Sequence, residues 1–378
     1  MTPTSKFRRV SIVGMTVGVI AAVALIGAAA AEEMRNITAD LVMTVELTGD
    51  DVVSFRDVSG FGVHRSLACA LPYGDEGVVV YDSIENKVTF FGRDGRRLWA
   101  TGQVGDGPED HREPCELYVL GDGRIALASL SPPVKVVFYG NDGLYLGHRT
   151  IHGVHGSPRI VFSLLNIYAV KPEYNYEENV RDETDWTFSL VAIDDSGIPF
   201  ASQILKRVST PRRFRPGRVV KEQDLWFTPR IETGPRGTVL VQADVYEPDV
   251  DVYDPDLNRI ARIEGGWTPP AQSEEYRQAL LEKTNGAEIA ADTERALPHL
   301  FCFDNREIWL QKQVPEGGPI FATYDVSGAS HGFVYITGID ASTESMALLD
   351  TRLLTFEEFE DGVGGARRQL FRVYRLDG

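Results

Sequence analysis

The sequence predicts an all-β protein, a six-bladed β-propeller with a short helical insertion between blades four and five. Three observations predict it. The stretch from Gly74 to Gly143 holds one unit written twice, GDEGVVVYDSIENKVTFFGRDGRRLWATG and then GDGRIALASLSPPVKVVFYGNDGLYLGHR. Each copy has an acidic-Gly turn, an alternating apolar strand, a turn, a second strand, a Gly-x-Asp-Gly turn and a third short strand. Val79 aligns with Ile125, Phe90 with Phe138, and Arg93-Asp94-Gly95 with Asn141-Asp142-Gly143. Short strands repeating with a period in the forties mark a propeller blade. The other two observations concern composition. The candidate strands are rich in Val, Ile, Phe and Tyr, and long amphipathic helices are scarce. A chain of 378 residues, 43% hydrophobic, holds enough apolar material for one large all-β domain.

The N-terminus reads as a targeting segment. Lys6, Arg8 and Arg9 precede an uncharged apolar run from Val10 to Ala31 that closes on Ala29-Ala30-Ala31. Basic start, apolar run and small-residue close are the parts of a secretion signal. The run is also long enough to act as an uncleaved membrane anchor. The expected organisation is 1–31 signal peptide or signal anchor and 32–378 propeller, working outside the cytoplasm. The chain carries a net charge of −17, and the remainder is more acidic still without the three basic residues of the leader. Such a surface repels nucleic acid and anionic membrane. Membrane association is expected only if the N-terminal segment stays uncleaved. Cys69, Cys115 and Cys302 leave two readings: a Cys69–Cys115 bridge between consecutive repeats, or three thiols packed as small hydrophobes.

Taken in order, blade one is expected at His64–Leu71, Gly77–Tyr81, Lys87–Phe91 and Leu98–Gly102. Blade two takes Glu113–Ile151. Blade three takes Arg159–Leu205, with an acidic insertion at Pro172–Asp185. Residues 206–224 form a basic crossover, and blade four runs from Leu225 to Trp267. Ser273 is a candidate N-cap for a helix of two to three turns through Lys283, with acidic residues in its first turn. A second short helix is expected over Ala287–Leu297. Blade five covers Pro298–Ser327 and blade six His331–Leu376. A strand from residues 41–56 completes the last blade and removes its open edge.

Between blades one and two stands Gly105-Asp106-Gly107-Pro108-Glu109-Asp110-His111. Here the chain resembles secreted bacterial six-bladed β-propellers related to the NHL-repeat and TolB-like propellers. That family carries a Gly-x-Gly-Pro-Gly-Glu-aromatic turn at this place, and the second half of the turn is altered here. Leu297-Pro298-His299-Leu300, Asn305-Arg306-Glu307-Ile308-Trp309-Leu310, Phe321–Gly328 and Phe371–Leu376 are similar to the family's penultimate and closing strands. The resemblance implies a fold; propellers of this kind serve many unrelated ends.

No nucleophile elbow, zinc-protease helix, phosphate-binding loop or paired CxxC is present. Asp244–Asp256 is rich in oxygen ligands, but it lacks the spacing of a calcium loop and alternates like a strand. His148, His152 and His155 lie close in sequence but in turn-like context, with no helix to align them on a metal. The stronger pattern comes from the repeat. In a propeller the first strand of each blade lines the central channel. At or just before each expected first strand stand His64 and Arg65, His111 and Arg112, His155 and Arg159, Arg230, His299, and His331. A basic ring at one mouth of the channel would focus an anionic ligand and give it several hydrogen-bond donors. The expected function is therefore an extracytoplasmic binding or scaffold protein. Its ligand is an anionic small molecule or glycan at the channel mouth, or its partner is a protein on the loops. The alternative is a propeller enzyme, a polysaccharide lyase or lactone hydrolase, using channel His and Arg or a metal. The residues require no cofactor and leave room for a divalent cation.

Overall fold

A computed structural model describes residues 34–48, 51–53, 70–82, 85–111, 115–129, 133–154, 159–163, 166–174, 183–211, 219–221, 229–243, 249–265, 274, 277–278, 288–290, 300–312, 319–339, 346–360 and 367–377. The leader 1–31, Cys69 and the side chain of Cys115 lie outside them.

The described protein is all-β, with a propeller-like arrangement of small sheets. β1 (Met34–Thr48) opens it. The first four-stranded meander is β2 (Ala70–Tyr73), β3 (Gly77–Asp82), β4 (Lys87–Gly92) and β5 (Arg97–Thr101). The second is β6 (Cys115–Val119), β7 (Ile125–Ser129), β8 (Lys135–Tyr139) and β9 (Tyr145–Thr150). The third is β10 (Arg159–Phe162), β11 (Ile167–Tyr174), β12 (Glu183–Ile193) and β13 (Pro199–Pro211). After β14 (Val219–Lys221), the fourth is β15 (Arg230–Thr233), β16 (Val239–Gln242), β17 (Val250–Tyr253) and β18 (Arg259–Ile263). β19 (Glu288–Ala290) pairs in parallel with β14. The rest is one eight-stranded sheet. One half is β20 (Leu300–Phe303), β21 (Glu307–Gln311), β22 (Ile320–Tyr324) and β23 (Ser330–Thr337). The other is β24 (Met346–Leu349), β25 (Arg352–Glu360) and β26 (Arg367–Leu376), and β1 joins the two.

The first strands stand side by side. β2 lies against β6 and β24, β15 against β10 and β20, and β20 against β24. β6 and β10 are tied by the Tyr118 hydroxyl on the Ile160 carbonyl and by Ile160 N–H on Glu116 Oε2 at 3.5 Å. Apolar clusters fill the spaces between neighbouring sheets. Val79, Tyr81, Ile125 and Leu127 meet between the first and second sheets, while Val78 and Val80, on the other face of β3, pack toward β1, Phe356 and Phe371. Val79 and Ile125 are thus facing neighbours, not repeat equivalents. Val79 pairs with Phe90 as Ala126 pairs with Phe138. A one-residue slip in alignment exchanges the two faces of a strand, because side chains alternate with a period of two.

A bulge recurs where the third strand of a sheet meets the fourth. Each such hairpin turns through a residue with positive φ: Gly95, Gly143, Gly197, Leu257 and Gly328. Each of these donates its N–H to the carbonyl three residues back. The second residue of the outer strand is then an extra one that has no partner: Leu98, Leu146, Phe200, Ile260 and His331. In each case the extra residue follows three positions after the left-handed residue that closes the three-residue loop, so the hairpin and its bulge recur as one unit.

β1 does more than complete the last sheet. The closing strand, expected at residues 41–56, lies at Met34–Thr48: Ala39–Thr48 pairs antiparallel with β26, and Met34–Thr38 pairs in parallel with β23. Its ladder slips between Leu41 and Met43, with Val42 as the extra residue. Ile37 and Ala39 pack with Trp309, Phe321 and Tyr374, whereas Met43, Val45 and Leu47 pack with Phe356, Phe371 and Val373. All five positions are odd-numbered, and the bulge is what turns the second group to the opposite face.

Several expectations need correction. Part of the expected acidic insertion is paired strand, since Pro172, Glu173 and Tyr174 pair with Phe188, Thr187 and Trp186. β13 runs on through Pro211, so the first part of the basic crossover also belongs to the third sheet. The helical insertion is not among the described elements. Only Glu274, Arg277 and Gln278 of it are described, and these are helical, with Glu274 accepting from both others. Where a second helix was expected, β19 is a strand. Blade six does not begin at His331. That residue is the second of the outer strand of the preceding half-sheet, because the Asp325–Gly328 turn joins a third strand to a fourth.

Candidate functional site

The first residues of the inner strands sit at one end of the sheets, and two of the expected cations are among them. Arg159 begins β10 and Arg230 begins the neighbouring β15. Arg230 Nε and Nη2 donate to Glu232 Oε1 at 3.2 and 3.1 Å, and Nη2 reaches the carbonyl of Leu300, the first residue of β20, at 3.5 Å. The guanidinium is half-buried and braced between two inner strands.

Opposite the first residue of three inner strands a buried polar side chain stands on the second strand, whereas Val80, Val170 and Leu310 hold that place opposite Ala70, Arg159 and Leu300. Ser129 faces Cys115, Gln242 faces Arg230, and Thr355 faces Met346. All three are almost wholly buried. Among the described residues the Gln242 amide and the Thr355 hydroxyl have no hydrogen-bond partner. Leaving such a group unmade costs roughly 1–3 kcal/mol, so each calls for an explanation. Sequence reading missed this collar because Gln242 stands alone in an apolar run, Val239-Leu240-Val241-Gln242-Ala243.

His64, Arg65, Arg112, His155 and His299 lie outside the described residues. His111 precedes β6 as expected, but its ring is fully buried, edge-on to Tyr81 at 5.5 Å, and neither ring nitrogen has a partner among the described residues. Burial, reinforced by the nearby Lys135 charge and opposed by Asp110, lowers its pKa to about 4. It is neutral at pH 7 and contributes no positive charge. His331 lies on an outer strand, 3.7 Å from both Glu307 and Asp325. Glu307 itself is held by Arg35 at 2.7 Å and by Trp309 Nε1 at 3.0 Å. Of the histidine trio, His148 accepts or donates at 2.8 Å with the Tyr145 hydroxyl on β9, and His152 is exposed. Among the described residues no group of three or more His, Cys, Asp or Glu could hold a metal ion.

The loop that carries the family resemblance is closed by Asp110. Its carboxylate accepts from Gln103 Nε2 at 2.6 Å and from Gly107 N–H at 2.7 Å, and these bonds hold its pKa below the usual carboxylate range. A Cβ on Gly105 or Gly107 would stand 2.3 or 2.8 Å from Asp110 Oδ2, so both positions need glycine. Lys135 Nζ donates to the Gly107 carbonyl at 2.8 Å. The loop is thus a structural clasp between the first two sheets, with His111 beneath it.

No family model matches the chain, and no curated protein does. Among solved structures it is similar to a protein from Bacteroides fragilis assigned as exported, at 12% identity and a TM-score of 0.44, over 92% of this chain and 100% of that one. It is also similar to a DUF4623 family protein from Bacteroides eggerthii, at 12% identity and a TM-score of 0.38, over 91% and 77%. A protein of unknown function from Bacteroides caccae follows at 12% identity and a TM-score of 0.36, over 71% and 81%. At this distance the likenesses bear on no residue of the site. No helix among the described residues is long and apolar enough to cross a membrane.

Proposed function

We propose that this chain is an extracytoplasmic six-bladed β-propeller that binds a small anionic molecule or acidic glycan at the end of the ring where its inner strands begin. Six blades follow if each half of the eight-stranded sheet counts as one, with β1 as the outer strand of the last. Export is inferred from the basic-then-apolar leader. The observation that carries the binding reading is the collar. Arg159 and Arg230 begin adjacent inner strands, and a buried Gln242 amide without a partner lies directly across from Arg230. A cation and an unpaired amide together suit a carboxylate or sulfate flanked by hydroxyls. The acidic remainder of the protein disfavours nucleic acid.

The test is calorimetric titration of residues 32–378 with galacturonate and glucuronate oligomers and a sulfated disaccharide. Saturable binding is expected. Arg230→Ala should weaken it by about tenfold or more, the worth of one charge-assisted hydrogen bond. Gln242→Leu should weaken binding without lowering stability, since no protein partner is lost. Product formation in the same samples would turn the binder into an enzyme. Absence of saturable binding to every probe would defeat the collar reading and direct attention to a protein partner on the loops.

A further inference from the structure

A second concavity lies away from the inner strands, between the third and fourth sheets. It is a cleft of ≈ 790 Å³, within the range of small-molecule sites. One wall is β13 from Gln203 to Lys206, and the other is built from β17, β18 and the turn between them.

The chain opens this cleft with two bulges. In β13 the ladder slips so that Lys206 faces Phe188 and Ile204 faces Ser189, leaving Leu205 extra. Across the gap, β18 carries the recurrent bulge at Ile260. A bulge bends its strand and increases local twist, so the two sheets diverge where both are bulged. The floor is apolar: Tyr253 and Leu257 are each 5% exposed, and Leu205 packs beside them in the same cluster.

The rim is cationic. Lys206, Arg259 and Arg262 line the cleft against one carboxylate, Asp251. Asp251 accepts from Arg259 Nη1 at 3.4 Å and lies 3.7 Å from Arg262 Nη1. Arg262 is fixed further by Asp249, at 3.1 Å from Nε and 2.8 Å from Nη2. Arg259 is the more exposed of the two arginines, and its Nε and Nη2 make no hydrogen bond within the described protein. The acid beneath it thus holds the guanidinium in place while one edge stays open. With Asp249 counted, three cations stand against two carboxylates, and on a chain of net charge −17 that balance over an apolar floor favours an anion.

We propose that this cleft binds a small organic anion with an apolar body, its carboxylate or sulfonate held by Arg259 and its body lying on Tyr253 and Leu257. The site is separate from the collar and does not depend on it. Planar carboxylates match the guanidinium fork. The body supplies apolar area that a bare inorganic ion lacks.

The test titrates residues 32–378 with phenylacetate and with phenylacetamide, its uncharged counterpart. Saturable phenylacetate binding at one site per chain is expected, about tenfold or more tighter than phenylacetamide. Arg259→Gln should remove that preference. Ile204→Asp, which sets a negative charge at the mouth of the cleft, should weaken phenylacetate by repulsion while the fold persists. Arg230→Ala should leave binding unchanged. The proposal is overturned if millimolar phenylacetate gives no saturable signal, if the amide binds equally well, or if Arg259→Gln has no effect. Loss of binding in Arg230→Ala would overturn it too, by moving the anion to the collar.

Discussion

The first four sheets and the eight-stranded sheet solve the same problem in different ways. Each of the first four is a local meander whose outer strand follows directly from its own hairpin. The last sheet takes its outer strand from the far end of the chain. β1 pairs with β26 and with β23, and so binds two half-sheets that would otherwise only pack together. Both kinds of sheet use a bulge in the outer strand. In β5, β9, β13 and β18 the hairpin bulge falls at the start of the strand, where it affects one exposed residue. In β1 it falls mid-strand, where it decides which of two cores the following residues enter. A bulge is therefore cosmetic or decisive according to whether buried strand lies on both sides of it.

Deletion of Val42 is the sharpest way to break this comparison. Without the extra residue, Met43, Val45 and Leu47 turn to the face of Ile37, or the ladder slips by one. Either result withdraws three side chains from the cluster around Phe356 and Phe371. At about 1.5–3 kcal/mol for each large apolar side chain, the loss is on the order of 5 kcal/mol, comparable with the whole stability of many domains. Urea denaturation should show the variant largely unfolded or lacking a single cooperative transition. Deletion of Leu98 serves as the contrast and should cost far less. If the Val42 deletion folds with nearly parental stability, the face-switching account of β1 is wrong.

An intermediate effect comes from His111, whose ring is buried between the first two sheets with no hydrogen bond among the described residues. Its pKa is depressed to about 4, while the unfolded chain has the ordinary value near 6.5. Between these values the unfolded chain binds a proton that the folded protein excludes. Stability is thus fully present above about pH 6.5 and falls as the pH drops toward 4. Integrated over that window, the loss is roughly 3 kcal/mol. Tyr81, Tyr139, Asp110 and Lys135 surround the ring, and Asp110 alone favours its charging. His111→Phe should flatten the component of stability that varies between pH 6.5 and 4, measured by urea midpoints at several pH values. An unchanged slope would show that other groups govern acid sensitivity.

These features explain which parts of the molecule the sequence discloses. The Gly-x-Asp-Gly turns at Gly95 and Gly143 are visible because a left-handed residue is best served by glycine. The equivalent turn in the fourth sheet is obscured because Leu257 occupies that conformation, at φ 65°, with Asp254 accepting from Asp256 and Asn258 N–H to brace it. The closing role of the N-terminal strand is legible from its alternation, but its parallel pairing with β23 has no local signature. Neither has the pairing of β14 with β19. The candidate site is less legible than the fold. Arg159 and Arg230 were placed correctly at strand starts. The value of Gln242 and Thr355, however, lies in having no partner, a property of the assembled interior. His331 was misassigned because a turn between the third and fourth strands looks, in one dimension, like a turn between blades.

His331 also gives the finest test of the comparison. It occupies the bulge position that holds Leu98, Leu146, Phe200 and Ile260 elsewhere, and all five are well exposed, Leu98 at 59% and Ile260 at 47%. If the position is set by hairpin geometry alone, its side chain is interchangeable. His331 approaches Glu307 and Asp325 only at 3.7 Å, and Glu307 keeps Arg35 and Trp309 in its absence. His331→Leu and the reciprocal Leu98→His should each change stability by less than about 0.5 kcal/mol at pH 7, as expected for exposed sites. A cost above about 1.5 kcal/mol for either would mean that the bulge side chain packs or pairs specifically, and that the β20–β23 half-sheet departs from the first four sheets by function rather than by accident of sequence.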